Sequence, residues 1–364
     1  MHIMSSAVKL LLPGLFAIIR INKGGLAMKY PKLLRRGDVI GVCAPSSGVP
    51  EALYPRLEQA IANVAALGYE VAETASVRRN RKCVSADAGG RAAEFMKLYE
   101  NPAVAAIIPP WGGEFLMDML PLLDFGHIAA LPPKWVCGYS DISTLTFALT
   151  LSCDIATVHG SNLMNMGCAR IHESDLRAFE AMSGISIVQH SAPYWGGFTG
   201  GGIHGEVYAL ANESRWKSLD GAARHEFSGR MIGGCMDTLS KLVGTRFAPV
   251  GDFLEKYRDD GFIWSLESCE MSAAEIYRAL WQMRECGWFR YCRGLILGRP
   301  DGYSDVVNFT LADAFSEGLG PLGVPVIYDA DIGHIPPQMQ IVNGSLGRVV
   351  FEDGRARVTQ DMGA

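Results

Sequence analysis

The chain has 364 residues, 49% hydrophobic and 20% charged, and carries a net charge of −5. That content supports one large or two ordinary cores and excludes a disordered chain. The mild acidity leaves no basic footprint, which argues against a nucleic-acid partner. The nine cysteines are an odd number with no C-x-x-C pair. Several sit inside apolar runs and read as small buried hydrophobes in a reducing, cytoplasmic setting, so no metal or redox site is expected.

Residues 1–27 stand apart. Leu10 to Ile19 is an apolar run after Lys9 that resembles a weak signal segment. It is too short to span a membrane, and no Ala-x-Ala site follows it. A simpler reading starts the protein at Met28, with Lys23-Gly24-Gly25 as a translated purine-rich ribosome site. The extension 1–27 is therefore placed outside the fold, and the mass of the native N-terminus tests this.

From residue 28 the pattern alternates. Asp38 to Pro45 reads as a strand ending in the turn Ser46-Ser47-Gly48, and Leu53 to Leu67 as an amphipathic helix closed by Gly68. A strand at Tyr69–Ala72, a helix at Ala88–Glu100 and an apolar strand at Val104–Ile108 follow. The loop Pro109–Glu114 then leads into a helix through Leu120. Next come the strand Trp135–Gly138 and the helix Ile142–Leu151. Strands lacking period-2 polarity and alternating with helices imply a parallel sheet covered on both faces. Ligands of such sheets bind beyond the carboxyl ends of the strands, where Pro109–Glu114 and Gly138–Asp141 fall.

After about residue 170 the character changes. His190 to Gly205 holds six glycines with Pro193, Tyr194, Trp195 and Phe198, and reads as a connection, 171–205, that contributes to a pocket wall. Beyond it, within 206–364, strands are expected at Val207–Leu210, Phe262–Glu267, Gly294–Leu297 and Val324–Tyr328. A helix is expected within Met231–Val243. The capping-box spacing Ser272–Glu275 opens another, and a hairpin of Gly347–Phe351 with Ala356–Thr359 ends the chain.

Chemistry centres on Gly138-Tyr139-Ser140-Asp141. A serine on a strand-to-helix corner projects its hydroxyl clear of the sheet, beside an amide at a helix N-terminus; the alternative is a plain helix cap. A serine nucleophile needs a base, an orienting carboxylate and oxyanion donors. His334, in Asp331-Ile332-Gly333-His334-Ile335-Pro336-Pro337, is held by a rigid turn after a strand and suits the base. His159, at another strand end, remains an alternative, and His190 and His204 stay open; His127, His172 and His225 read as surface. The carboxylate candidates are Glu267, which ends an apolar strand and is costly to bury unpaired, Glu270 and Asp141. Gly112-Gly113 offers unobstructed amides, or else is a flexible turn before a helix.

Together these stretches resemble the LD-carboxypeptidase family of serine peptidases, which includes the microcin C immunity peptidases. The resemblance runs from about residue 30 to 350. It rests on Gly37–Ser46, Trp111-Gly112-Gly113 with Leu120–Asp124, Gly138–Asp141, Gly233-Gly234 with Leu239 and Gly244-Thr245, Leu266-Glu267, and Gly333-His334 with Pro336. It implies Ser140 as nucleophile, Glu267 as acid, His334 as base, and amides of Asp141 and Gly112 or Gly113 as oxyanion hole. The implied fold is a flavodoxin-like parallel-sheet N-terminal domain, 28–170, and a smaller β-rich α+β C-terminal domain with the acid and base. Members are commonly homodimers and need no cofactor or metal. The implied reaction cleaves an amide next to a free carboxylate, as when murein tetrapeptide loses D-alanine in peptidoglycan recycling.

Three positions depart from the family pattern: Cys235 stands where asparagine is frequent, Ser268 where an acid is frequent, and Trp111 where murein-recycling members carry a basic residue. Trp195 resembles the tryptophan that immunity-type members stack on a nucleobase, or else is a packing aromatic. A peptide-nucleotide substrate is thus one alternative, and a non-catalytic small-molecule binder another.

Overall fold

The computed structural model describes residues 27–199 and 205–363. The apolar run Leu10–Ile19 and His204 lie outside the described residues. The first layer is a sheet of β1 (Val39–Val42), β2 (Glu70–Glu73), β3 (Val104–Ile107), β4 (Trp135–Gly138) and β5 (Thr157–His159). Its five strands are parallel in the flavodoxin order β2-β1-β3-β4-β5. Helices α1 (Tyr54–Ala66), α2 (Ala88–Glu100), α3 (Phe125–Ala130), α4 (Ile142–Cys153) and α5 (Glu173–Ser183) accompany it. The expected helix through Leu120 is instead a 3-10 run, Leu116–Leu122. Pro121 lies inside it and has no N–H to continue an α-helical ladder.

The second layer is an eight-stranded sheet whose centre is also parallel. The residues expected to connect the halves, 171–205, carry β6 (Ser186–His190) and β7 (Tyr194–Phe198), and β7 pairs with β8 (Tyr208–Glu213) beyond them. After the short β9 (Lys217–Ser218), β10 (Arg224–Cys235) runs through the glycine pair, and α6 (Met236–Leu242) starts only at Met236. Then follow α7 (Val250–Lys256), β11 (Phe262–Glu267), α8 (Ala273–Glu285), β12 (Cys292–Gly298), α9 (Leu311–Leu319) and β13 (Val326–Ala330). Strands β10 to β13 are mutually parallel and neighbours in space. The chain next donates β14 (Ile341–Asn343) to the free edge of β5, antiparallel, before closing with the hairpin β15 (Leu346–Glu352) and β16 (Arg355–Asp361).

Helix α4 joins the layers. It is apolar on all sides and buried almost throughout, the pattern of a helix inside a core. Its hydroxyls turn inward: Thr146 donates to Ile142 O and Thr150 to Ile155 O. Phe147 stacks on Trp288 with ring centroids 5.4 Å apart, and Trp288 on Trp264 at 5.7 Å. Each such ring is worth about 1.5–3 kcal/mol by burial. The helix that begins at the serine corner is thereby fixed against both sheets. Among the described residues no helix is long and apolar enough to cross a membrane.

Candidate active site

Strand β4 is buried along its length and delivers the chain to a sharp corner. Ser140 sits there with φ +63°, a left-handed conformation that a serine adopts only when its surroundings impose it. The Asp141 amide follows at the N-terminus of α4, where negative charge is favoured. The Asp141 carboxylate does a different job. It accepts from Ser46 Oγ at 2.6 Å, Leu116 N at 2.9 Å and Thr144 Oγ1 at 3.2 Å. Burial pushes its carboxyl up while these donors oppose the rise. It ties the loops after β1 and β3 to the corner, and it is the backbone of Asp141 that faces the serine.

The Gly112-Gly113 loop lies directly against this corner. A Cβ on Gly112 would fall 2.8 Å from both Ser140 Oγ and Asp141 N. No other residue type leaves that space open.

The candidate acid and base come from the second sheet. Glu267 ends β11 and His334 follows β13, both at carboxyl ends. His334 Nδ1 lies 2.8 Å from Glu267 Oε2, so the ring's Nδ1–H donates to the carboxylate. Gly333 permits this approach: at φ +95°, a Cβ there would meet Glu267 Oε2 at 2.5 Å. The loop is pinned by the buried Asp331, which pairs with Arg299 at 2.6 Å and accepts from Trp216 Nε1 and Ala192 N. Burial alone would lower the His334 pKa, but the Glu267 carboxylate, joined by Cys269 and Tyr139, more than offsets it and holds the imidazole well above its ordinary range. Burial likewise pushes Glu267 up, and His334 with His159 draws it below its usual value.

The His334 ring packs edge-on against Tyr139, the neighbour of Ser140, with centroids 4.8 Å apart. The hydrogen bond from Ser140 Oγ to the imidazole is not formed in this arrangement. Such bonds commonly tighten only with substrate present.

A cleft of about 970 Å³ opens beside Ser140, lined also by Gly113, Cys235, Lys241, Glu270 and Arg278. Glu270 is exposed there and does not reach His334; its N–H donates to Asp237. Trp111 packs on the N-terminal core and does not line this cleft. Trp195, on β7, is half-buried with the Arg299 guanidinium 5.5 Å from its ring centre. That strand is tied to the base loop by Gly196 N donating to Pro336 O. His190 ends β6 and is exposed, away from the corner.

Two further side chains flank the Glu267–His334 pair. Cys235 is the register partner of Glu267 on the adjacent parallel strand. His159 is wholly buried with Nε2 at 3.8 Å from Glu267 Oε1, and its Nδ1 meets Ser143 Oγ, which accepts from Cys235 N. Burial lowers its pKa to about 4, so it stays neutral near pH 7. His159 was expected at a strand end and Cys235 within a helix; the approach of both to Glu267 depends on strand register, which sequence does not show.

Two domain families match this chain: the LD-carboxypeptidase N-terminal domain over residues 40–160 and the LD-carboxypeptidase C-terminal domain over 228–349. The chain belongs to the LD-carboxypeptidase family. It is an enzyme of the serine-hydrolase, carboxypeptidase class. This LD-carboxypeptidase family member is 23% identical to the murein tetrapeptide carboxypeptidase of Pseudomonas aeruginosa over 248 residues, 67% of this chain and 72% of that one. It is 24% identical to the microcin C7 self-immunity protein MccF of Escherichia coli over 281 residues, 74% of this chain and 78% of MccF. The structure of MccF in complex with glutamyl sulfamoyl guanosine aligns with TM-score 0.76 at 20% identity, covering 92% of this chain and 99% of that one. An MccF-like protein from Bacillus anthracis aligns with TM-score 0.79 at 22% identity, covering 91% and 98%.

Proposed function

We propose that the protein hydrolyses an amide next to a terminal carboxylate through an acyl-enzyme on Ser140, with murein tetrapeptide as substrate and tripeptide plus D-alanine as products. The observation that carries this reading is the 2.8 Å bond between Glu267 Oε2 and His334 Nδ1, set beside a serine corner that Gly112 leaves open. Ser140 Oγ attacks the carbonyl carbon and passes its proton to His334 Nε2. Glu267 remains anionic and stabilises the imidazolium through Nδ1–H. Negative charge on the carbonyl oxygen falls to the amides of Asp141 and of Gly112 or Gly113. His334 then protonates the leaving amine, and water repeats the sequence on the ester. Lys241 and Arg278 place two cations on the cleft wall for substrate carboxylates.

A second reading keeps the chemistry and changes the substrate to an aminoacyl-nucleotide amide. What favours it is Trp195, a ring on a strand bonded to the base loop, with one face covered by Arg299. One panel separates the two: murein tetrapeptides against aminoacyl sulfamoyl nucleosides, with Ser140→Ala as control. Release of D-alanine, lost by about 10⁴-fold or more in Ser140→Ala and to a similar extent in His334→Ala, is the expected result. Turnover that survives Ser140→Ala eliminates the mechanism. Turnover of the nucleosides alone, with KM raised by Trp195→Ala, selects the second reading.

A further inference from the structure

The carboxyl ends of β10, β11 and β13 converge on one point, and each brings a group that ligates metals. A donor atom from each of Cys235, Glu267 and His334 lies within 4.8 Å of the other two. Cys235 and Glu267 are held by backbone register, and His334 by the Asp331 network, so none of the three depends on a loose loop. Thiolate, imidazole and carboxylate together form a donor set suited to Zn²⁺. Tetrahedral bonds of about 2.0–2.3 Å space their ligands roughly 3.5 Å apart, so side-chain adjustments on the order of 1 Å would close the site.

A separate observation points the same way. Glu267 Oε1 is buried and makes no hydrogen bond, since His159 Nε2 faces it only at 3.8 Å and is itself unpartnered, although its other oxygen holds His334. A buried carboxylate oxygen left unmatched is a costly feature that a cation would satisfy. The Cys235 thiol already donates towards Asp237 Oδ2 at 3.4 Å, a route for the proton it would lose. Of the three, Cys235 lines the cleft together with Ser140.

We propose that Cys235, Glu267 and His334 form a binding site for Zn²⁺ or another thiophilic divalent cation, and that filling it switches hydrolysis off. Binding displaces the thiol proton to solvent and involves no oxidation or reduction. The metal takes one imidazole nitrogen: losing Nδ1 breaks the link to Glu267, and losing Nε2 removes the acceptor for the serine proton. The binding half stands on the donor atoms alone, whereas the inhibitory half rests on His334 being the base.

Co²⁺ added to the purified protein reports the binding half without any turnover. One equivalent is expected to give the near-ultraviolet thiolate-to-Co²⁺ charge-transfer band, with a d–d spectrum of tetrahedral intensity that Zn²⁺ abolishes. Ser140→Ala and Cys269→Ser are expected to keep the band, and Cys235→Ser and His334→Gln to lose it. A band that persists in Cys235→Ser, or none in the native protein, overturns the site. The inhibitory half is read on whichever substrate is turned over. Zn²⁺ that silences the native enzyme should act on the residual rate of Cys235→Ser only at about tenfold or higher concentration. Full turnover by metal-loaded native protein overturns inhibition while leaving binding intact.

Discussion

Replacing Gly112 by alanine tests the fit between the glycine loop and the serine corner while leaving the residues at 140, 267 and 334 unchanged. The added methyl would lie 2.7 Å from Ser140 Cβ and 2.8 Å from Asp141 N and Ser140 Oγ. Carbon contacts settle near 3.5–4.0 Å, so something must move by roughly 0.7 Å or more. The neighbours are the backbone and first side-chain atoms of a corner already strained at φ +63°, and that corner is anchored to the largely buried α4. The glycine loop is held in turn, since Ser47 N donates to Gly112 O. Displacement therefore falls on the geometry between the serine and its amides. Loss of one oxyanion donor costs about 10²–10³ in kcat, and misplacing reacting atoms by about 1 Å costs about 10²-fold. The expected outcome for Gly112→Ala is a kcat lower by about 10²–10³ with KM changed little, measured by steady-state release of the terminal amino acid. Thermal unfolding of the variant accompanies the assay to show that the fold persists. A folded variant with kcat within about threefold of the native value would show that this loop does not face the reacting carbonyl.

Two further outcomes concern protons. Because Glu267 holds His334 well above its ordinary range, the acid limb of kcat/KM should inflect above the usual imidazole value of about 6.5, with activity rising as the base loses its proton. In Glu267→Gln the inflection of the residual rate should move down, since the main charge opposing burial is then gone; a native inflection at or below about 6.5 would contradict the pairing. His159 acts on stability instead. Its folded pKa of about 4 lies below the unfolded value, so between about pH 4 and 6.5 the unfolded chain binds a proton that the native one refuses. This group contributes about 3 kcal/mol of stability gained as pH rises across that window, while the buried Asp175 carboxyl, pushed up to about 7, contributes with the opposite sign. Glu267 adds a loss of the same sign as His159, in a lower window below its unfolded value. In denaturant unfolding at several pH values, His159→Phe should make the slope of stability between about pH 4 and 6.5 less positive than in the native protein, and an unchanged slope would place the effect elsewhere.

The N-terminal alternation was legible because strands buried on both faces leave continuous apolar runs, and Trp135–Gly138 and Ala88–Glu100 match their elements end to end. Ser140, Glu267 and His334 stood out because each ends or follows a strand in a context that is costly without a partner. Neighbours across strands were hidden. Cys235 looked like one more small hydrophobe, and only the parallel register of β10 with β11 sets it beside Glu267. Ser46 read as a turn residue, yet its hydroxyl bonds the Asp141 carboxylate. The connecting stretch read as irregular because glycine masks the period of β7, whose hydrogen bonds with β8 make it a strand. Trp111 and Trp195 were singled out as large rings near the site, but which way a ring packs depends on the opposing layer.

The short strand β14 has a bearing on how the protein comes to exist. The serine-bearing sheet shows an open edge at β5 until Ile341–Asn343 arrives, late in the chain. During synthesis, a ribosome that has released every residue of the flavodoxin order still holds the segment that covers this edge. The stretch just before β14 is the base loop, so covering the edge and delivering His334 are one event. An N-terminal fragment ending near residue 185 would expose an unpaired strand prone to pairing with other copies. Maturation of this enzyme is therefore a property of the whole chain, and splitting it between the sheets should yield two pieces that regain neither solubility nor turnover unless expressed together.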